Sequence, residues 1–278
     1  MTSIRKFIED WRVRLQQADV EDPRLNVELL IAHALGISRG DVKARLSDTL
    51  DAATLKHAQD LCERRLKREP VDYIIGHREF YGREFMVQPG VLIPRPETEL
   101  IIDLAKKLLP HDAAGWAVDV GCGSGALGVT LALEFPRLRV IATDLFPTPL
   151  KLTGVNADKL GARVHPVRMD GLNALDGRFD LIVSNPPYVK PEDYDELDPE
   201  VHDHEPETAL VGGTDGVAVA QHILALVAAR LKPGAHLLME HGMTQGDQLR
   251  NAATQAGLSD ARTVKDYAGL DRILVARA

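Results

Sequence analysis

From residue 115 to the end, short apolar runs alternate with helix-like segments, and that alternation narrows the fold to a mostly parallel sheet covered on both faces. Strands are expected near 116–120, 138–143, 163–168, 179–184, 235–240, 260–264 and 272–277, and helices near 125–135, 147–159, 215–231 and 245–256. The last two strands are joined only by Asp266-Tyr267-Ala268-Gly269-Leu270-Asp271, short enough for a hairpin, so one antiparallel edge strand is expected.

At 278 residues the chain is long for one compact domain. Residues 1–72 read as a small all-helical domain. Thr2 or Ser3 caps a first helix reaching about Gln17. Asp22-Pro23 is read as an N-cap followed by proline, and Gly36 as the end of that second helix. Ser38 starts a third helix, and Asp51 opens a fourth that Pro70 closes. The basic run Arg64-Arg65-Leu66-Lys67-Arg68 is expected to be a solvated helix end, where cations suit the helix dipole. Residues 73–95 read as a β-hairpin linker, with Gly76, Gly82 and Gly90 separating aromatic and β-branched pieces, Val91-Leu92-Ile93 among them. Residues 96–278 form the α/β domain, entered by a helix that starts at Pro94–Glu99 and runs to about Leu109.

The acids of Met1–Asp10 leave no apolar core for a signal peptide, and the run Ile223 to Ala229 is too short to span a bilayer. Cys62 and Cys122 are too few for a disulfide framework. A cytoplasmic monomer without membrane attachment is the expectation. The net charge is −8, residues 1–75 being neutral with 13 basic and 13 acidic side chains. Stable nucleic-acid binding needs clustered Lys and Arg to displace counterions, and no such cluster is evident, so none is expected. No metal site is expected either.

Two motifs carry chemistry. Asn185-Pro186-Pro187-Tyr188 follows the apolar run Leu181-Ile182-Val183, so it falls at a strand's carboxyl end, where open α/β sheets place ligands. The Asn185 amide oxygen and the Pro186 carbonyl are two acceptors on a stiffened backbone, suited to both hydrogens of a planar NH2. Tyr188 offers such a group a flat face. The second motif, Asp119-Val120-Gly121-Cys122-Gly123-Ser124-Gly125, runs from a strand through a glycine turn into a helix. Its glycines also fit a dinucleotide fingerprint. Asp119 would suit a cationic amino-acid moiety better than a pyrophosphate. Asp144, at the end of the next strand, can accept from ribose hydroxyls. Asp170 either accepts from an adenine amino group or, with Gly171, forms an ordinary turn.

Together these motifs resemble class I S-adenosylmethionine-dependent methyltransferases. The chain is similar in particular to the peptide chain release factor glutamine N5-methyltransferases (the PrmC/HemK family). The resemblance rests on Gly76-His-Arg-Glu-Phe-Tyr-Gly82, Val91-Leu-Ile-Pro-Arg-Pro-Glu-Thr-Glu99, Asp119 to Gly125 and Ser184 to Tyr188, with Glu205 to Leu210 and Gly212 to Gly216 adding to it. It covers the whole chain. Pro147 and Pro149 at a helix start, and His204 where an aromatic is common, depart from the family pattern. The resemblance implies a Rossmann-like seven-stranded methyltransferase sheet preceded by the helical domain and hairpin. It implies S-adenosyl-L-methionine as cofactor, S-adenosyl-L-homocysteine as its product, and the glutamine of the Gly-Gly-Gln loop of class I release factors as target. The implied cofactor contacts are Asp119, Gly121, Cys122, Gly123, Gly125, Asp144, Asp170 and Asn185. The implied substrate contacts are Arg95, Asn185, Pro186, Pro187 and Tyr188, of which Asn185, Pro186 and Tyr188 are catalytic.

No dedicated general base is evident near Asn185; His202, His204 and His241 are candidates only by proximity in sequence. Residues 190–207 hold nine acids against Lys190, and read either as a solvated loop or as a lid meeting basic residues of a protein partner. Alternative functions are an adenine-N6 or other exocyclic-amino nucleic-acid methyltransferase, a nicotinamide-dependent oxidoreductase, and a non-catalytic release-factor binder. Retention on nucleotide or S-adenosylhomocysteine resins would separate the oxidoreductase from the methyltransferases.

Overall fold

The computed structural model describes residues 2–278 and divides into two compact units, 2–77 with 198–204 and 78–197 with 205–278. In the first, α1 (Ile4–Gln17), α2 (Pro23–Leu35), α3 (Arg39–Ala44), α4 (Ala52–Leu66) and α5 (Val71–Ile75) enclose Phe7, Trp11, Leu30, Ile31 and Leu61. Three caps fall where expected. Ser3 and Asp51 accept from Lys6 N and Thr54 N, and Ser38 forms a capping box with Asp41. Asp22 departs: it lies in the left-handed region at φ 45° and its side chain caps nothing. Proline disfavours the helical region for the residue before it, and Asn26 Nδ2 donates to Glu21 O and Asp22 O instead. The fourth helix stops at Leu66, before Pro70, which leads into the unanticipated α5.

The expectation for Arg64–Arg68 needs correcting. Arg65 is buried; it donates to Asn26 Oδ1 at 2.7 Å, Glu69 O at 3.2 Å and Glu200 at 2.6 Å. Arg68 takes the other Glu200 oxygen at 2.6 Å. Glu200, on α9 (Pro199–His202), is therefore bound by this chain's own cations and is not a free lid charge.

The hairpin consists of β1 (His77–Phe80) and β2 (Arg83–Met86). The run Val91–Ile93 is not a strand; it is irregular, with Val91 and Ile93 buried. A 3-10 turn, Pro96–Thr98, leads into α6 (Glu99–Leu108). Then follow β3 (Gly115–Val120), α7 (Ala126–Glu134), β4 (Leu138–Asp144), α8 (Pro147–Leu160), β5 (Val164–Arg168) and β6 (Phe179–Ser184). The chain closes with α10 (Ala218–Val227), β7 (Leu231–Glu240), α11 (Gly246–Gln255), β8 (Ser259–Lys265) and β9 (Asp271–Arg277).

These seven strands form one sheet in the order β5-β4-β3-β6-β7-β9-β8. All neighbours are parallel up to β7, and the β8–β9 hairpin supplies the antiparallel pairings at that edge. The period of two sorts the side chains between faces. Ala117, Leu181 and Val183 join Ile101, Leu104 and Leu131 on one face, and Val118, Val120 and Ile182 join Ile223, Leu224 and Leu249 on the other. From β3 the chain moves outward to β4 and β5, then returns to place β6 on the opposite side of β3. That reversal opens a crevice at the carboxyl ends of β3 and β6, where such sheets bind ligands. In register, Val120 pairs with both Thr143 and Ser184, so Gly121, Asp144 and Asn185 emerge along one edge.

Candidate active site

The glycine turn after β3 is held from beneath. Gly121 N and Cys122 N both donate to Thr143 O at 2.9 Å, and Ser184 Oγ donates to Val120 O at 2.8 Å. Gly121, Gly123 and Gly125 all have positive φ, which lets the turn double back into α7. Thr153 of α8 donates to Gly123 O or to Cys122 Sγ, bracing the turn from the side. Cys122 is buried, and burial raises its thiol well above the ordinary range.

A cavity of about 470 Å³ opens above this turn. Of the residues expected to bind cofactor, Asp119, Gly121, Cys122, Gly123, Asp144, Asp170 and Asn185 line it. Arg95, Pro186 and Pro187 line the same cavity. Gly125 and Tyr188 do not. Gly125 sits at the amino end of α7 with Thr153 packed where a side chain would go. Tyr188 turns its hydroxyl to Glu240 Oε1 at 3.3 Å. Burial and the neighbouring Glu240 charge raise the Tyr188 phenol.

The acids divide by environment. Asp119 is fully buried; Oδ2 accepts from Gly128 N at 2.8 Å and Oδ1 has no partner. Burial pushes Asp119 up to about 7, against the opposing pull of the Gly128 N–H. Asp144 accepts from Gly123 N at 3.2 Å and Phe146 N at 3.0 Å, and burial raises it despite those bonds. Each Asp144 oxygen keeps a lone pair for a ligand. Asp170 is exposed, with His222 Nε2 at 3.5 Å from its Oδ2.

Three partly buried polar clusters fix the wall around Asn185. Asn185 Nδ2 donates to Thr98 Oγ1 at 3.1 Å, and Thr98 Oγ1 donates to Glu240 Oε2 at 2.6 Å. Burial holds Glu240 above the ordinary carboxylate range, against the opposing pull of the Thr98 hydroxyl, the Arg272 charge and the Tyr188 hydroxyl. Gln245 Nε2 donates to Tyr188 O at 2.9 Å and Gly216 O at 3.1 Å, binding the Asn-Pro-Pro-Tyr segment to the Gly212–Gly216 loop. Arg95 is held by Glu205 Oε1 at 2.5 Å, while Glu205 Oε2 accepts from Ile93 N at 3.1 Å. Thr98, Gln245 and His222 were not singled out as functional from the sequence. Thr98 lies inside the quoted Val91–Glu99 motif, a signal that was present; Gln245 and His222 carried none. His202 and His204 belong to the first compact unit, and His241 is buried with Nδ1 against Gly242 O. None of these three lines the cavity. Among the described residues no group of three or more His, Cys, Asp or Glu is placed to hold a metal, and no helix is long and apolar enough to cross a membrane.

The cavity fits S-adenosylmethionine on the chain's own features. A glycine turn presents backbone, Asp144 has acceptor capacity left, and the partnerless Asp119 oxygen suits a cationic group.

Comparison with known proteins agrees. The family profile "PrmC N-terminal domain" matches residues 7–76, and "Methyltransferase small domain" matches residues 98–201. Among solved structures, a Thermus thermophilus 16S rRNA N2 G1207 methyltransferase in complex with AdoMet and guanosine has TM-score 0.54 at 23% identity, covering 72% of this chain and 49% of its own. A Pyrococcus furiosus methyltransferase has TM-score 0.54 at 18% identity, covering 80% and 97%. Both show the fold. A Geobacter sulfurreducens release factor glutamine methyltransferase is 38% identical over 99% of this chain and 96% of its own length. Relatives of the same name from Bordetella pertussis and Mycolicibacterium smegmatis are 41% and 40% identical, covering 92% and 99% of this chain and 95% and 98% of their own lengths. A cavity built by a glycine turn and the strand end Asn185-Pro186-Pro187, with identity sustained through the helical unit as well, means that this chain belongs to the release factor glutamine methyltransferase family.

Proposed function

We propose that the chain transfers a methyl group from S-adenosylmethionine to the side-chain amide nitrogen of the glutamine in the Gly-Gly-Gln motif of class I release factors, acting in the cytoplasm. One observation carries this reading: Asn185 and Pro186 line the same cavity as the glycine turn and Asp144. Acceptors for an NH2 group and a nucleotide-type site therefore share one space.

A primary amide nitrogen is a weak nucleophile because its lone pair is delocalised, by roughly 18–20 kcal/mol judged from the peptide rotation barrier. S-adenosylmethionine, when bound, supplies an electrophilic sulfonium methyl and leaves as S-adenosylhomocysteine. The protein's share is alignment and charge. Holding the amide in line with the methyl can contribute about 7–11 kcal/mol. The Asn185 oxygen and the Pro186 carbonyl, aimed at the two N–H groups, stabilise positive charge as it grows on nitrogen. The methylated nitrogen is strongly acidic, so one of its hydrogens leaves through these acceptors to water without a dedicated base. Arg95, pinned by Glu205, is assigned to the approaching protein loop, and Asp119, Asp144 and Asp170 to the cofactor.

The test incubates purified protein, labelled S-adenosylmethionine and an unmodified release factor, and maps the methyl by mass spectrometry. Label on the Gly-Gly-Gln glutamine is expected. Label on nucleic acid with none on that glutamine would overturn the reading.

A further inference from the structure

Thr98 Oγ1 stands between Asn185 Nδ2 at 3.1 Å and Glu240 Oε2 at 2.6 Å. A hydroxyl carries one hydrogen, and an ionised carboxylate only accepts. The hydrogen therefore goes to Glu240, and Thr98 meets Asn185 with a lone pair. Only the NH2 end of the Asn185 amide can donate to that lone pair, which leaves its oxygen as the end free of Thr98. The other Glu240 oxygen receives the Tyr188 hydroxyl at 3.3 Å, so an ionised Glu240 has a donor at each oxygen. Thr98 and Glu240 are 4% and 1% exposed, so water does not compete for these bonds. The three residues come from the 3-10 turn before α6 and from the ends of β6 and β7.

We infer that Thr98 and Glu240 are positioning residues: a one-way hydrogen-bond relay from Asn185 through Thr98 to Glu240 orients the Asn185 amide so that its oxygen, not its nitrogen, faces the substrate NH2. Turned over, the same side chain would oppose donor to donor at the reacting group. The inference rests on the reading of Asn185 as the substrate's acceptor.

The experiment compares Thr98→Val, Thr98→Ser and Asn185→Ala with the wild-type protein, measuring methyl transfer to a release factor and S-adenosylhomocysteine affinity by calorimetry. Valine keeps the shape and removes the relay, so kcat is expected to fall about tenfold or more, with affinity for S-adenosylhomocysteine within about twofold. Serine keeps the hydroxyl and is expected to stay within about threefold of wild type in kcat. A Thr98→Val protein with wild-type kcat, or a Thr98→Ser protein as impaired as Thr98→Val, would overturn the relay. If Thr98→Val does not fold, Glu240→Gln decides. Its amide can turn either end to Thr98, so a several-fold fall in kcat is expected, and a rate within about twofold of wild type sinks the proposal. Asn185→Ala separates the two failures. Full activity there removes the acceptor reading itself, whereas an inactive Asn185→Ala beside an unimpaired Thr98→Val removes the relay alone.

Discussion

Asn156 binds Met86 by both of its backbone groups, accepting from Met86 N at 2.7 Å and donating to Met86 O at 3.0 Å, as a paired strand residue would. The same amide also donates to Ser124 O at 2.8 Å. One fully buried side chain on α8 therefore fastens the end of the hairpin to the glycine turn. Replacing Asn156 by Leu strands three backbone partners and is expected to cost about 2–4 kcal/mol, from roughly 1 kcal/mol per lost bond. Urea unfolding measures that loss. S-adenosylhomocysteine affinity should fall with it, because the Ser124 carbonyl belongs to the glycine turn that lines the cavity; unchanged affinity would separate the hairpin from the site.

Gly212 is needed for close approach. A Cβ there would lie 2.3 Å from Gly216 O and 2.6 Å from Pro187 O, both backbone atoms that cannot step aside cheaply. Gly212→Ala should therefore push the Pro187–Tyr188 segment away from the loop that cradles it. The expected result is a loss of about tenfold or more in kcat with S-adenosylhomocysteine binding retained, as expected of a small misplacement of positioning groups. Gly154 is the control. It lies inside α8 with nothing within 4 Å of an added Cβ, so Gly154→Ala should raise stability by about 0.5–1 kcal/mol. Equal effects of the two substitutions on turnover would refute the argument.

How far these features could be read from the sequence depended on whether their causes were local. The strands were legible because runs such as Leu181-Ile182-Val183 are buried on both faces of the sheet, and the caps Ser3, Ser38 and Asp51 because capping acts over three residues. Asn185 and the glycine turn were legible because each motif carries its chemistry in consecutive residues. Thr98, Asn156 and Gln245 were not, since their partners lie 87 and 142, 32 and 70, and 29 and 57 residues away and meet them only once the sheet has formed. Val91–Ile93 has strand composition but joins no strand; its apolar side chains are accounted for by burial beside the cavity.

Asp119 gives the protein a pH-dependent stability of predictable sign. Its folded-state value is raised to about 7, above the ordinary carboxylate value of 3.8. Between those values the folded protein holds a proton that the unfolded chain has released. The stabilisation is therefore full below the unfolded value and is lost as pH rises through about 7. Asp119→Asn keeps an acceptor for Gly128 N and cannot ionise. Between pH 5 and 8 the wild type should lose roughly 1–3 kcal/mol relative to Asp119→Asn, a tenfold difference in proton affinity being worth about 1.4 kcal/mol. Parallel denaturation curves over that range would contradict the assignment.

Arg64 and Arg65 are adjacent in sequence and should respond oppositely to truncation. Arg64 is half exposed and pairs with Glu69, so Arg64→Ala should cost no more than about 1 kcal/mol, the usual worth of a surface pair. Arg65 is buried, and its loss leaves Asn26 Oδ1, Glu69 O and one Glu200 oxygen without their donor. Arg68 still holds Glu200, so the loss comes from the stranded Asn26 and Glu69 oxygens and the weakened charge pair, and about 2–4 kcal/mol is expected for Arg65→Ala. Acid should act through the same pair. Burial pushes Glu200 up, but the guanidinium groups of Arg68 and Arg65 outweigh it and hold the carboxyl below its ordinary value. Its contribution is thus present above the unfolded carboxylate value and is lost as pH falls through the lower folded value. Glu200→Gln should accordingly destabilise the protein at pH 7 and flatten the acid limb of its stability curve, which urea midpoints taken from pH 3 to 7 would measure. A Glu200→Gln protein with the wild-type acid limb would show that Arg65 and Arg68 act by packing rather than by charge.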